Sequence, residues 1–272
     1  MNMKLTIFTA GVALILPVTA ALAVTVDLNT WTEESYPAVA GFDPGNWVVT
    51  PDGSSVTQTV NGQPTIFYSD FNAFNTTATG TVMVNSGGDD DYIGFVLGFN
   101  PGDTTIAGAN YLLVDWKQSS QDFDFGVPSS SPGGTADVGL AVSRVSGIPD
   151  ADEFWQHDDL AGTGPGNGLE ELARGTTLGN TGWEVGTAYE FSFEFTDTML
   201  RILVDGVEEI AIAGMFSNGR LGFYNFSQAD VQYSSFTVDA IPLPSALPML
   251  AIGLSFMGLV SWGKRRQGRP AA

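Results

Sequence analysis

Three consecutive carboxylates form the group in this sequence with the clearest potential to bind a ligand. Asp89, Asp90 and Asp91 follow two glycines and directly precede an apolar run, so a tight turn should carry them into a buried strand. Adjacent residues of an extended chain point to opposite sides, which lets Asp89 and Asp91 share one cation while Asp90 faces away or bonds backbone. Crowded oxygen ligands suit Ca²⁺, although three carboxylates fall short of the about six to eight oxygens that this ion takes. The alternative is a solvated acidic turn.

Asp122 and Asp124 begin a second pattern with metal-binding character. The segment Asp122-Phe123-Asp124-Phe125-Gly126 copies the start of the D-x-D-x-G calcium loop. That loop also needs a Glu six residues after its Gly, and Ser, Pro and Gly residues occupy the stretch that follows here. We therefore predict a turn at this segment, with a second cation site as the alternative.

Trp155 lies within a third acidic group, whose members are Asp150, Asp152, Glu153, Asp158 and Asp159. One interpretation is a solvated loop with a packed tryptophan. The other is a sugar or cation site, in which Trp155 stacks on a pyranose ring while Asp158 and its neighbours bind hydroxyls. His157 has no partner that the sequence reveals, so we assign it no catalytic role.

Composition excludes several classes of function. The 272 residues include no Cys and one His, which removes thiol nucleophiles, thiolate zinc sites, disulfides and His-pair metal sites. The net charge of −20 argues against binding to nucleic acid, because affinity for phosphates comes from Lys and Arg. Residues 24–240 hold all 30 acidic residues and only five basic ones, a net charge of −25 that favours screening or bridging by cations.

A glycoside hydrolase is the enzyme class to weigh, because some β-sandwiches have that activity. Such enzymes place two carboxylates about 5–9 Å apart across the scissile bond. The E-x-D-x-x-E-like spacing of the jelly-roll glucanases does not occur, since Ser192 stands between Glu190 and Glu194. No G-x-S-x-G motif or P-loop is present either. We therefore predict a protein that is not an enzyme.

Both ends of the chain carry targeting features. Residues 1–23 read as a secretory signal, with Lys4, an apolar run and a cleavage site at Ala21-Leu22-Ala23. Residues 243–262 contain no charge and are long enough to cross a bilayer as a transmembrane helix. The basic residues of the tail 263–272, which include Arg265 and Arg266, follow directly and predict a cytoplasmic tail and an exported body.

The body, residues 24–240, reads as one all-β domain. In the segment 189–196 aromatic and polar residues alternate, which is typical of a half-buried antiparallel strand. Asp205-Gly206 supplies a type I′ turn between two further strands. A short helical turn is predicted at Leu169–Arg174, within a loop from Gly162 to Gly182. The pattern predicts a two-sheet antiparallel sandwich of the jelly-roll type, with its other strands at 92–99, 111–116, 200–204, 207–212, 221–226 and 231–238.

Several motifs, in order, resemble the thrombospondin C-terminal domain. They are Trp47-Val48-Val49, Phe71-Asn72-Ala73-Phe74, the run Asp89–Phe99, Tyr111–Gln118, Asn180–Trp183 and Gly219–Gln228. The first two look like the opening strands of that domain. The resemblance spans about residues 40–238 and implies a concanavalin A-like sandwich with calcium held by the Asp run. Asn225 replaces the family's Cys, and the calcium-loaded repeats that precede this domain in animal thrombospondins are absent. The receptor contacts of the animal proteins therefore do not transfer.

A second resemblance concerns residues 241–248, Ile-Pro-Leu-Pro-Ser-Ala-Leu-Pro. With the apolar segment and the basic tail behind it, this motif is similar to a PEP-CTERM sorting signal of the variant that begins V-P-L-P-A. Pro242, Leu243 and Pro244 carry the likeness, with Arg265 and Arg266 in the tail. It implies a Gram-negative source, a periplasmic body anchored at the inner membrane, and recognition by an exosortase-type membrane protease before release to the surface or matrix.

Together these features predict a calcium-binding adhesion or carbohydrate-binding module that is displayed on the cell surface or in an extracellular polysaccharide matrix. Two other classes stay open. One is a structural matrix protein with no specific ligand, which acts through its acidic surface bridged by divalent cations. The other is a polysaccharide-modifying enzyme.

Overall fold

Alternating polar and apolar residues set the strands of this protein. A computed structural model describes residues 23–160 and 168–241. In the segment with the clearest alternation, Phe191, Phe193 and Phe195 are buried while Glu190 is exposed. This is the arrangement of a strand with one face on a core, and it confirms the prediction for that segment.

Within the described residues the chain forms seventeen strands, a 3₁₀ turn at Leu28–Thr30 and one helix, α1, at Ala151–Gln156. The strands are β1 (Val24–Thr25), β2 (Thr32–Ser35), β3 (Trp47–Val49), β4 (Ser55–Gln58), β5 (Thr65–Tyr68), β6 (Thr76–Val84), β7 (Tyr92–Phe99), β8 (Asn110–Lys117), β9 (Gln121–Phe123), β10 (Gly134–Ala136), β11 (Gly139–Ser146), β12 (Gly168–Arg174), β13 (Ala188–Phe195), β14 (Met199–Val204), β15 (Val207–Ala213), β16 (Arg220–Phe226) and β17 (Val231–Ala240).

Two large antiparallel sheets hold most of these strands. Sheet A has the order β15-β14-β13-β6-β17-β4-β3, with β1 beside β17. Sheet B has the order β12-β11-β8-β7-β16-β5-β2, and β9 and β10 form a separate hairpin. Most neighbours within each sheet are distant in sequence, so the two sheets are wound together by long crossovers. The predicted two-sheet antiparallel sandwich is confirmed.

Sheet B contributes to two apolar cores. Ile93, Phe95 and Leu97 of β7 point into the core that sheet A shares. Tyr92 and Val96 point to the opposite face and into a second core. Because both faces of β7 are covered, every residue in that strand is buried. This explains why its sequence is nearly continuously apolar rather than alternating.

The second core is closed by the chain that follows β8. The hairpin β9–β10 and helix α1 supply its cover, with Ala136, Phe154 and Trp155 among the buried residues. Glu153 at the third position of α1 accepts a hydrogen bond from the backbone N–H of Asp150 at 2.7 Å, which is half of a capping box. The outer face of sheet B is therefore covered and not open to solvent at this place.

Three sequence-based predictions about elements were wrong. Leu169–Arg174 belongs to strand β12, not to a helix, because it pairs along the edge of sheet B with β11. That strand also occupies part of the predicted loop from Gly162 to Gly182. Phe71–Phe74 is not an opening strand but a turn, in which Asn72 Oδ1 accepts the N–H of Phe74 at 2.9 Å. Trp47–Val49 does form a strand, β3, as predicted.

The predicted targeting segments fall almost wholly outside the described residues. This applies to residues 1–22 of the signal, to the motif from Pro242 onward, to the apolar run 243–262 and to the basic tail. Among the residues that are described, no helix is both long and apolar enough to cross a membrane. Export and anchoring stay predictions.

Candidate functional site

The three consecutive aspartates lie at the turn that enters β7. Gly88 precedes them with a φ of 141°, a backbone conformation that favours glycine. One oxygen from each of Asp89, Asp90 and Asp91 lies within 4.8 Å of the other two. In the described ranges, 23–160 and 168–241, this is the one group of three or more His, Cys, Asp or Glu residues with that proximity.

Each aspartate has a different neighbour. The Asn61 side-chain amide donates to Asp89 Oδ2, and the Ser119 hydroxyl donates to Asp90 Oδ2. The backbone N–H of Asp91 donates to Gln228 Oε1 at 3.1 Å. The loop is thus connected to chain segments on three sides, and its carboxylates are held in place rather than free in solvent.

Lys117, the last residue of β8, is the cation of this site. Its side chain is fully buried, and its Nζ lies 2.5 Å from Asp91 Oδ1. The same nitrogen donates to the Asp90 carbonyl at 3.1 Å and to Gln121 Oε1 at 3.3 Å. It also lies 4.5 Å from the centroid of the Trp155 ring, a cation–π contact. The register of β7 and β8 produces this arrangement, because Lys117 pairs with Tyr92 directly beside Asp91.

The loop carries more negative charge than Lys117 can balance. Partial burial, together with the hydrogen bond to Asp91 and the charge of that residue, raises the pKa of Asp89 to about 7. Like charges that are held close together favour the neutral form of one of them unless a cation is bound. The raised pKa of Asp89 therefore marks a position where a further positive charge would be stabilising.

An open cavity of about 170 Å³ adjoins Asp89. Its lining includes Asn61, Ser86, Gly87 and Gln228. The side chains of this lining carry amide and hydroxyl groups, and together with the carboxylates they offer oxygen ligands without sulfur or imidazole. That chemistry fits a hard cation such as Ca²⁺ and does not fit Zn²⁺ or Cu²⁺ as well.

A second buried ion pair lies on the same face of sheet B. One of its members, Asp115, is two residues before Lys117 in β8. His157 Nε2 is 2.9 Å from Asp115 Oδ2, and His157 Nδ1 is 3.3 Å from Glu171 Oε2. Burial alone would lower the pKa of His157, but the two carboxylates outweigh it and raise that pKa to about 9. The imidazole is therefore a cation at neutral pH, and the second core contains two cations, Lys117 and His157, each with a buried carboxylate.

Asp122 and Asp124 do not join the first three aspartates. Both are exposed, at the hairpin β9–β10 and the turn that leaves β9. The Thr135 hydroxyl donates to Asp122 Oδ1, and the backbone N–H of Gly126 donates to Asp124 Oδ1 at 2.7 Å. Within the described part of the chain no third acidic residue completes a metal-binding group with them. The sequence predicted a turn at this segment, and a second cation site stays the untested alternative.

The proposed stacking of Trp155 on a sugar ring is wrong. Its side chain is 1% exposed and packs edge-on against Tyr92, Phe125 and Phe226. Since neighbouring rings and Lys117 surround the indole, it has no face for a pyranose. The interpretation of a packed tryptophan is the correct one, while Asp158 is exposed at the end of α1.

Sequence reasoning missed most of the surroundings of the aspartates. Asn61 and Gln228 are far from them in sequence, and nothing in the local pattern points to either one. Lys117 was available as a signal, because a lysine at the end of an apolar strand in a chain so poor in basic residues is unusual. Its partner depended on the register of two strands, which the sequence does not reveal.

Fold and site together define a class: an antiparallel β-sandwich with a cluster of three aspartates at the entrance to a central strand. The family described as Thrombospondin C-terminal region matches residues 43–241 of this chain. The chain belongs to that family.

Curated relatives agree with this assignment. Thrombospondin-3b of Danio rerio is 29% identical over 221 residues, a match that covers 75% of this chain and 22% of the relative. Thrombospondin-2 of Homo sapiens is 30% identical over 204 residues, covering 71% of this chain and 16% of the relative. The chain therefore spans less than a quarter of the length of either protein.

Solved structures with a similar fold are more distant in sequence. The carbohydrate-binding module CBM66 from Bacillus subtilis aligns with a TM-score of 0.49 at 13% identity, covering 77% of this chain and 95% of the module. The exoplasmic/lumenal domain of VIP36, in a Ca²⁺/Man-bound form, aligns with a TM-score of 0.47 at 10% identity, covering 79% and 84%.

Proposed function

We propose that residues 24–240 form a calcium-stabilised adhesion module that is displayed outside the cell, with extracellular carbohydrate as its ligand class. The observation that carries the proposal is the assembly of Asp89, Asp90 and Asp91 around one point in a member of the thrombospondin C-terminal family. We assign the module no catalytic activity.

Asp89 and Asp90 are the residues that a calcium ion reaches from solvent, because both are partly exposed. Asp91, buried against Lys117, would complete the group of three carboxylates around the ion. A bound Ca²⁺ would supply positive charge to carboxylates that now repel one another. The loop that carries them is hydrogen-bonded to Asn61, Ser119 and Gln228. Fixing this loop would therefore stabilise the contacts of several strands at the same end of the sandwich.

Calcium should raise the melting temperature of the purified chain. At free calcium 100-fold above the dissociation constant, binding to the folded state alone adds about 2.7 kcal/mol to the free energy of unfolding. For a body of this size that corresponds to a rise of about 5–10 °C in the melting temperature. Asp89→Asn/Asp90→Asn should abolish this rise while leaving the Asp91–Lys117 pair intact. Thermal unfolding with calcium and with chelator measures the effect.

Asp122→Asn/Asp124→Asn is the matched control, since it removes the same charge from a second pair of aspartates, which are exposed. This variant should keep the full response to calcium. The calcium-induced rise in melting temperature could survive in Asp89→Asn/Asp90→Asn, or it could be lost equally in both variants. Either result would contradict the assignment of the ion to the loop of Asp89, Asp90 and Asp91.

The two candidate functions, adhesion to carbohydrate and a matrix role without a specific ligand, predict different binding results. The covered outer face of sheet B favours the second candidate, because that face offers no exposed aromatic platform at Trp155. Binding of the chain to purified polysaccharides in saturating calcium, with loss in chelator, is expected for the adhesion module. Absence of binding across a broad set of glycans would leave the matrix role as the better explanation.

We further propose that residues 1–23 direct export and that the motif 241–248, the transmembrane segment 243–262 and the tail 263–272 form a sorting signal for an exosortase-type protease. The support is the fixed order of these three parts in the sequence. The intact mass of the chain from a Gram-negative host with such a protease tests this. A mature chain should start at Val24 and end near Pro242–Pro244, whereas a chain that keeps Ala272 would contradict the sorting step.

A further inference from the structure

Lys117 occupies an unusual position for a charged residue. Its side chain is 0% exposed. It is also one of only five basic residues in residues 24–240. Burying a charge without a partner is strongly unfavourable, and the ammonium therefore depends on the groups around it. Its closest partner is Asp91 Oδ1 at 2.5 Å, and Asp90 Oδ1 lies 3.5 Å away.

These two carboxylates belong to the loop that we propose as the calcium site. A divalent ion shared by the three aspartates would lie close to the Lys117 ammonium, because oxygens of the group are within 4.8 Å of one another. In the partly dry surroundings of the site, repulsion between the two cations is only weakly screened. The ammonium thus stabilises the loop without calcium and opposes the binding of calcium.

We propose that Lys117 and a calcium ion act as alternative counter-ions for Asp91, so that Lys117 sets the calcium affinity of the loop. This inference rests on the calcium site proposed above. Lys117 keeps the loop ordered when calcium is scarce, and it lowers the affinity so that only the high calcium of an extracellular setting fills the site. It is a positioning and affinity-setting residue, not a ligand.

Lys117 and the aspartate loop also contact two buried tryptophans, one in each core. The ammonium lies over the Trp155 ring, and the indole N–H of Trp183 donates to the Asp91 carbonyl at 3.1 Å. If calcium binding weakens the electrostatic interaction between Asp91 and Lys117, the electric field at both indoles changes. Tryptophan fluorescence should therefore report occupancy of the site, and the Trp155→Phe variant should lose part of the change.

Lys117→Met tests the proposal, because it removes the charge and keeps most of the length of the side chain. We expect calcium to bind at least tenfold more tightly than in the unchanged protein, measured by calorimetry. In chelator the variant should melt at a lower temperature, so the rise in melting temperature on adding calcium should be larger. Arg201→Met is the matched control: it removes one positive charge from a surface ion pair with Glu194 and Glu208 on sheet A. Its calcium affinity should stay within threefold of the unchanged protein.

The possible results separate the two proposals. If neither the unchanged protein nor Lys117→Met binds calcium, the calcium site itself is refuted. If the unchanged protein binds calcium and Lys117→Met binds it no more tightly, or if Arg201→Met gains as much, only the role of Lys117 is refuted. Addition of Asp91→Asn to Lys117→Met should remove most of the gain in affinity, because Asp91 is the group for which the two cations compete.

A folding defect is also informative. Lys117→Met that is unfolded in chelator but folds in calcium would be the strongest form of the expected coupling. Lys117→Gln keeps a hydrogen-bond donor near Asp91 and provides a second neutral variant. If both variants stay unfolded in saturating calcium, the ammonium is required in every state, and calcium does not replace it.

Discussion

Trp155→Ala should lower the free energy of unfolding by about 3–5 kcal/mol, the range typical of a large aromatic side chain removed from a core. Trp155 is the aromatic ring around which the second core packs, since it contacts Tyr92, Phe125 and Phe226. Its loss also removes the cation–π contact that helps to keep Lys117 buried. Urea unfolding of the purified chain in chelator measures the change.

Two further variants make this result specific. Phe123→Ala removes a neighbouring ring that contacts Trp155 but is 40% exposed, and it should cost much less. Trp155→Phe should have an intermediate effect, because the indole N–H has no hydrogen-bond partner among the described residues and its removal relieves a cost. A glycan-binding loss in Trp155→Phe with stability unchanged would instead restore a direct contact of this ring with sugar.

The periodic strands were predictable from sequence because each needs only its own pattern. The strands β13, β14 and β15 follow the alternation and the turn at Asp205-Gly206, where both residues have positive φ. For β12 the local pattern misled. Glu170, Glu171 and Ala173 favour a helix as isolated residues, but backbone pairing with β11 decides their conformation. Tertiary contacts outweighed local propensity there.

Helix α1 was missed by the sequence-based prediction for a different reason. Asp150 followed three residues later by Glu153 is a capping-box signature, so the start of a helix was visible in the sequence. Acidic composition around Trp155 suggested an open loop instead. The sequence did not indicate that the carboxylates of this helix would be buried. Asp152 and Glu153 are both fully buried at the second core. Acidic residues predict solvent exposure only where no buried donor is available to them.

The candidate site was also predictable only in part. The three aspartates and their position at the head of β7 were predictable, since both depend on one continuous segment. Their relation to Lys117 was not, because 26 residues and an unknown strand register separate Asp91 from it. Two buried cations and their carboxylates therefore became visible only in three dimensions, and one of them, His157, leads to the prediction with the clearest dependence on pH.

The free energy of unfolding should decrease by about 3 kcal/mol as the pH rises from 6.5 to 9, because of His157. The pKa of this imidazole is raised from 6.5 to about 9 in the folded protein. A group with a raised pKa in the folded state binds its proton more tightly there. Its contribution is therefore complete below pH 6.5 and is lost as the pH rises through 9. The pKa of the buried Tyr92 hydroxyl is raised well above 10, so that residue stays neutral over this range.

His157→Asn is the variant that isolates this effect. The residue has a φ of 55°, a left-handed conformation that Asn tolerates better than most residues, and Asn does not titrate. The variant should lose the pH dependence assigned to His157 between pH 6.5 and 9. Because the chain has a single histidine, its imidazole proton resonance can be followed by NMR without ambiguity. A midpoint near 9 is expected, and Asp115→Asn should lower it, since burial would then be opposed by Glu171 alone. A midpoint at or below 6.5 in the unchanged protein would show that Asp115 and Glu171 do not hold the imidazole in its charged form.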